Sequence, residues 1–263
     1  MISPLAYVDS GAKIGANVTI HPFAYVDKDV VIGDNCEIMP YASVLAGARL
    51  GAGVKIFQGA IVSATPQDFR WKGCDSQCVI GDNTVIREHV IINRSIHADG
   101  VTSVGANCFV MAESYIGHDT RIDENCVLGN GVTVAGDVTV QRGSILSSNV
   151  ILHENVKVGT LALVKGGCRI SSNVPPYCII AHNPAKYYGA NAIVLKKHAH
   201  FTEEQIEDIA KAYRHIYQSS TSLFNALRRI EADIEPSAVR DEILNFVRSN
   251  DFQIVGERES LRD

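Results

Sequence analysis

The chain has 263 residues, 20% of them charged, and a formal net charge of −5, enough for one large or two modest domains with an ample core. That balance excludes the broad basic footprint expected of a nucleic-acid binder. No apolar run approaches the roughly 20 residues of a membrane-spanning helix. Met1-Ile2-Ser3-Pro4 also lacks the basic start and apolar stretch of a secretory signal, so a cytoplasmic protein is expected.

From Val8 to Ile170 every sixth residue is Ile, Val or Leu, with breaks only at Asp68, Cys74 and Ala98. Two places before each of these sits a smaller residue, as at Ala12, Ala24, Cys36, Ala42, Ala60, Cys108, Cys126 and Ala162. Residues i and i−2 of a strand point the same way, so each repeat sends one large and one small side chain inward. A six-residue period matches a β-helix, in which every repeat is a short strand plus a turn. Three repeats close one coil, so residues 18 apart are expected to stack roughly 4.8 Å apart. Neither register follows the 3.6-residue period of a helix. The expected fold is a left-handed parallel β-helix followed by a C-terminal α-helical domain. Gly15, Gly33 and Gly51 recur along one edge and read as tight corners.

In chain order, residues 1–174 form the solenoid and residues 175–263 a connecting segment and the helical domain. Residues 63–77 keep the repeat length but lose the aliphatics and gain Asp68, Arg70 and Trp71, so they read as a loop thrown out from one coil. Ser95 to Ser103 is a second irregularity. Val174-Pro175-Pro176-Tyr177 is read as the end of the repeats, because consecutive prolines cannot donate to a ladder. Thr202 to Gln205 is a capping box opening a helix. Thr221 or Ser222 and then Ser237 are placed to start two more, and Glu257 to Asp263 read as a polar tail. Of the seven cysteines, Cys36, Cys78, Cys108, Cys126 and Cys168 occupy the small inward position, where Cys acts as a small hydrophobe. No C-x-x-C pair exists, so no metal site is expected.

His118 is the candidate for chemistry. It stands two residues after the inward Ile116, near a corner and outside the core, with Asp119 beside it to orient an imidazole. A histidine suits proton transfer near neutrality. Gly136 is one coil further, where its N–H faces the same side without a side chain in the way, as an oxyanion donor requires. His153 falls on the next coil of that edge. Lys186, Lys196, Lys197, His198 and His200 form a basic cluster that would attract an acidic carrier protein or a nucleotide diphosphate. A surface histidine with no catalytic role is the competing interpretation of His118 at this level.

Together these residues resemble the bacterial UDP-N-acetylglucosamine O-acyltransferase family, which makes the first lipid A precursor. The resemblance covers nearly the whole chain. It is carried by the repeats, Gln67-Asp68, Ile86-Arg87-Glu88, Ile116-Gly117-His118-Asp119, Ala135-Gly136, Val174-Pro175-Pro176-Tyr177, Gly189-Ala190-Asn191, Leu195-Lys196-Lys197, and Tyr213 with Tyr217. It implies a homotrimer with sites between subunits and no cofactor. A 3-hydroxyacyl chain moves from acyl carrier protein to the sugar 3-hydroxyl. On that resemblance His118 is the general base, Asp119 its partner and the Gly136 amide the oxyanion donor. Asp68 and Arg70 lie on a loop reaching a neighbouring subunit's site, Asn191 and Lys197 hold the nucleotide-sugar, and His153 continues the cleft. Gly136 and Gly166 lie where a larger side chain would block an acyl channel, which suggests a longer chain. Tyr115, Asp137 and Asn93 stand where family members carry histidine, and Arg70 where they carry lysine. The competing functions are a related acyltransferase that N-acylates a 3-amino UDP-sugar, and a non-catalytic or metal-binding β-helix protein.

Overall fold

In a computed structural model the six-residue beat becomes three parallel faces of a left-handed β-helix. The structure describes residues 1–219, 221–251 and 253–256; the tail read from Glu257 onward lies outside them. The first face begins at Tyr7–Val8, the second at Lys13–Ile14 and the third at Thr19–Ile20. They hold nine, eight and ten strands respectively. Away from two insertions each strand stacks on the residue 18 further on, as in Val8 on Val26, Ile14 on Ile32 and Ile20 on Ile38. The large and small inward positions are both buried, among them Ile38, Ala42, Ile56, Ala60, Cys126 and Leu128. Each fully buried aliphatic contributes about 1.5–3 kcal/mol, which is why a two-residue strand suffices when it is repeated this often.

Three residues past most inward aliphatics the backbone turns through the left-handed region, with Asn, Asp or Gly commonly there: Asn17, Asn35, Gly53, Asp119 (φ 57°) and Asp137 (φ 58°). These residue types tolerate positive φ best. The glycines one residue past the aliphatic serve another purpose than the sequence suggested. Gly33 is not in that region, but a Cβ there would lie 2.6 Å from the carbonyl carbon of Gly51 on the next coil. Close stacking, not a turn conformation, requires them.

Both irregular segments leave at the edge between the first and second faces. There Val62 stacks on Ile92, 30 residues on, and Cys78 on Thr102, 24 on. The first insertion lies between strands Ile61–Ala64 and Gln77–Ile80, the second between Ile91–Asn93 and Val101–Val104. The next corner on that edge is Gly117 to Thr120. The coils also run one rung beyond the expected end. Cys178–Ala181 pairs parallel with Leu163–Val164, then antiparallel with Lys186–Ala190. Pro175 and Pro176 fall in the corner before that strand, where no ladder N–H is needed.

Among the described residues four helices follow the coils: α1 (Ala192–Lys197), α2 (Glu203–Tyr217), α3 (Leu223–Asp233) and α4 (Ala238–Ser249). Thr202 and Gln205 form the capping box of α2, and Ser222 and Ser237 cap α3 and α4. The helices pack on the end of the coils. The buried Tyr213 hydroxyl donates to the Pro176 carbonyl, and Tyr177 donates to Glu242.

Candidate active site

The strand Tyr115–Ile116 buries Ile116 and brings the chain to the corner at Gly117. Gly117 packs so closely on the next coil that a Cβ would lie 2.8 Å from the Gly136 nitrogen. His118 follows and is buried, and the positive φ of Asp119 accompanies a carboxylate that meets the ring. His118 Nδ1 lies 2.9 Å from Asp119 Oδ2. An ionised carboxylate only accepts, so Nδ1 carries a hydrogen and Nε2 is the ring nitrogen turned outward.

Asp119 is itself held. Ser95 Oγ donates to Oδ1, the Ile96 N–H donates to Oδ2 at 3.1 Å, and the Asp119 N–H donates to Thr102 Oγ1 at 2.8 Å. Burial raises the Asp119 carboxyl pKa. The hydrogen bonds from Ser95, Ile96 and His118 outweigh burial, so the net shift is downward and the group is a carboxylate at neutral pH. Sequence reasoning flagged the second insertion but assigned it no task. The change in repeat length was the available signal, and the task is to supply Ser95 and Ile96 to Asp119.

On the outward side, Asp68 Oδ2 stands 3.3 Å from His118 Nε2. Arg70 chelates the same carboxylate, with Nε 3.0 Å from Oδ1 and one terminal nitrogen 2.8 Å from Oδ2. The hydrogen bonds from Arg70 hold the Asp68 carboxyl well below the usual range. The loop was expected to reach a neighbouring subunit; here Asp68 lies against His118 of its own chain, because its insertion springs from the same edge. The root of the loop is fastened too. Tyr115 donates to Asn93 Oδ1 at 2.5 Å, and Asn93 Nδ2 donates to the Thr65 carbonyl at 3.3 Å. Two positions that differ from the family pattern are therefore partners of one another. Burial, then the Asp68 charge, raises the Tyr115 hydroxyl pKa.

Gly136 lies against the imidazole. A Cβ there would be 2.5 Å from His118 Nε2 and 3.0 Å from Nδ1. Any side chain at 136 would collide with the ring before it could enter an acyl channel, so the idea of Gly136 as a simple length gauge is revised. Among the described residues the Gly136 N–H donates to no protein group.

His153 is exposed two coils along the same edge from Gly117, where it lines a cavity of about 1210 Å³ with Arg169, Ser171, Lys186 and Tyr217. The remaining candidates are elsewhere in the chain. Asn191 is buried, its Nδ2 donating to the Leu161 carbonyl at 2.9 Å and its N–H to the Tyr177 carbonyl at 2.7 Å. It fastens the start of α1 to the edge between the second and third faces. Lys197 ends that helix on the surface. Gly166 follows the third-face strand Leu163–Val164, and a Cβ there would lie 3.0 Å from the Ser148 carbonyl oxygen. One chain thus unites His118, Asp119, Gly136, Asp68 and Arg70, with His153 nearby, and leaves Gly166, Asn191 and Lys197 on other edges.

His118, Asp137 and Glu154 offer ligand atoms within 4.8 Å of one another. However, Glu154 is engaged by Arg70 at 2.7 Å, and both His118 nitrogens face carboxylates. The guanidinium already supplies the positive charge a divalent ion would bring.

The model for UDP-N-acetylglucosamine O-acyltransferase domain 2 matches residues 173–255, and the bacterial transferase hexapeptide model matches residues 102–136. An acyl-(acyl-carrier-protein)–UDP-N-acetylglucosamine O-acyltransferase from Sinorhizobium fredii is 36% identical over 245 residues, covering 93% of this chain and 87% of that one. The chain belongs to the UDP-N-acetylglucosamine O-acyltransferase family. A solved structure of a UDP-N-acetylglucosamine acyltransferase from Bacteroides fragilis superposes with a TM-score of 0.93 at 44% identity, covering 97% of this chain and 99% of that one. The Francisella novicida UDP-N-acetylglucosamine acyltransferase gives 0.93 at 34% identity over 99% and 95%. The family relationship therefore extends over coils, insertions and helices together. Among the described residues no helix is long and apolar enough to cross a membrane.

Proposed function

We propose that this protein moves a 3-hydroxyacyl chain from acyl carrier protein to the 3-hydroxyl of UDP-N-acetylglucosamine, the first step of lipid A biosynthesis, with His118 as general base. The observation that carries the reading is the placement of His118 Nε2 beside a glycine whose N–H has no protein partner among the described residues. Nε2 takes the proton of the sugar hydroxyl as its oxygen attacks the thioester carbonyl. Charge developing on that carbonyl oxygen meets the Gly136 N–H, and an oriented donor of this kind is worth about 10²–10³ in rate. The tetrahedral intermediate expels the carrier thiolate, which takes the proton back from the imidazolium. Asp119 keeps Nδ1 protonated and the ring aimed. Asp68 yields Nε2 to the sugar hydroxyl and accepts from a neighbouring hydroxyl of the same ring.

The working assembly in this reading is a homotrimer. Asn191, Lys197 and Gly166 bear on the substrates only if the edge of one chain is packed against another, and a closed ring of three heterologous contacts does that. Lys197 and its basic neighbours then face the nucleotide diphosphate or the acidic carrier. In this reading the reaction takes place in the cytoplasm.

The test is direct. Purified protein is incubated with UDP-N-acetylglucosamine and 3-hydroxyacyl carrier proteins of several chain lengths, alongside His118→Ala. We expect ester formation by the wild type and a loss of about 10²–10⁴-fold in the variant, with circular dichroism unchanged. A variant keeping half the wild-type rate rules out the base.

A further inference from the structure

Arg70 joins three coils' worth of chemistry. Its guanidinium chelates Asp68, which faces His118 Nε2, and extends to Glu154 Oε1 at 2.7 Å. Glu154 occupies the position of the repeat held by His118, two coils further along the same edge, so the pair spans Gly136. The first insertion is otherwise fastened at its root and flank, by Asn93 to Thr65, Cys74 to the Ile96 carbonyl and Arg94 over the Trp71 ring. None of these contacts reaches past the His118 coil. Gly73, at φ 84°, has nothing within 4 Å of where a side chain would start, and Phe69 beside Asp68 is fully exposed. The tip of the insertion therefore has little packing to hold it. Its polar tie across Gly136 is Glu154.

We propose that Glu154 is a positioning residue for acyl transfer: by anchoring Arg70 it holds Asp68 over His118 and closes the insertion over the Gly136 N–H. Among the described residues Glu154 makes no hydrogen bond to His118 or Asp68. It acts through Arg70, and its effect belongs in the binding of the sugar, one hydroxyl of which takes the place of Asp68 at Nε2 while the anchored carboxylate accepts from the next. The proposal rests on the acyl-transfer reading above.

The measurement is a comparison of Glu154→Gln and Glu154→Ala with wild type, each also in an Arg70→Ala background. Glu154→Gln should raise the KM for UDP-N-acetylglucosamine about fivefold, the upper end for an exposed ion pair, and change kcat less than twofold. Glu154→Ala should do the same, and the melting temperature should stay within a degree of wild type. The effect should shrink as salt is raised and screens the pair. In the Arg70→Ala background neither Glu154 substitution should have a further effect. An unchanged KM overturns the proposal, and so does an equal rise in both backgrounds. Calorimetric binding of UDP-N-acetylglucosamine gives the same readout without turnover. A wild type that binds the sugar nucleotide but transfers no acyl group therefore refutes the reaction while leaving the Glu154 effect measurable.

Discussion

The corner at Gly136 and the corners at Ala16 and Ala52 hold the same place in the repeat, and they differ in what the next coil sends back. Ala16 donates its N–H to Asp34 Oδ1 at 2.7 Å, and Ala52 donates to Asp82 Oδ1 at 2.8 Å. At Gly136 the corresponding residue of the next coil is Glu154, and its carboxylate is turned to Arg70 instead. Those two corners satisfy this N–H, whereas at Ala106, Ala112 and Glu124, as at Gly136, it has no protein acceptor among the described residues. What sets the Gly136 corner apart is the buried histidine that lies alongside its free donor. A repetitive fold thus makes a site by setting a buried histidine beside an uncapped corner, with the backbone unaltered.

The strongest way to break this comparison is to give the Gly136 corner what the others have. Ala16 and Ala52 carry a Cβ without difficulty, whereas at Gly136 it would lie 2.5 Å from His118 Nε2. Gly136→Ala should keep the fold and displace the imidazole. A displacement near 1 Å costs about 10²-fold in rate. The loss should be equal for every donor chain length, since the base is moved and no channel is narrowed. Rates across a series of acyl donors check this; a loss confined to long donors would restore Gly136 as a length gauge and undo the comparison.

How much of this was legible in the sequence follows from what a repeat encodes. Burial at positions such as Ile38 and Ala42 is decided locally, so the coil register was readable residue by residue. His118, Asp119 and Gly136 were readable because they sit one residue or one coil apart, and stacking converts that spacing into contact. Ser95, Ile96 and Glu154 were not. Ser95 reaches Asp119 from an insertion whose path no period specifies, and Glu154 matters only through the direction taken by Arg70. The purpose of Gly33 was misread for a similar reason. A close approach between coils and a turn conformation both select glycine, and only coordinates separate them. Asn191 illustrates the opposite case: motif matching gave it a ligand, and within one chain it fastens α1 to the coil.

A second test concerns Asp119, where the corner departs from its neighbours by collecting donors from three directions. Asp119→Asn cannot accept from Ser95, Ile96 and His118 Nδ1 together, because one end of an amide only donates. Hydrogen bonds to a charged group are worth about 1.5–3 kcal/mol, so about 2 kcal/mol of stability should be lost at pH 7. The folded carboxyl pKa is lowered. Its contribution is therefore fully present above the unfolded value near 3.9 and disappears as pH falls through the lower folded value. Melting temperatures of wild type and Asp119→Asn should differ by a constant amount from pH 7 to 5 and converge below about pH 4. A gap that widens on acidification would show the sign to be wrong.

The smallest effect is expected at an ordinary corner, and it sharpens the contrast most. Asp34 is exposed and its carboxylate caps the Ala16 N–H across one coil. Asp34→Ala removes that partner, but water reaches the freed N–H, so the loss should be about 0.5–1 kcal/mol. The rate of acyl transfer should not change, because the corner lies on the edge between the second and third faces, many coils before His118. Urea unfolding and steady-state kinetics on the same preparation measure both quantities. If Asp34→Ala lowered the rate as Gly136→Ala is expected to, the Gly136 corner would lose its distinction, since disturbing any corner would then disturb the chemistry. If stability did not move at all, the caps at Ala16 and Ala52 would be incidental.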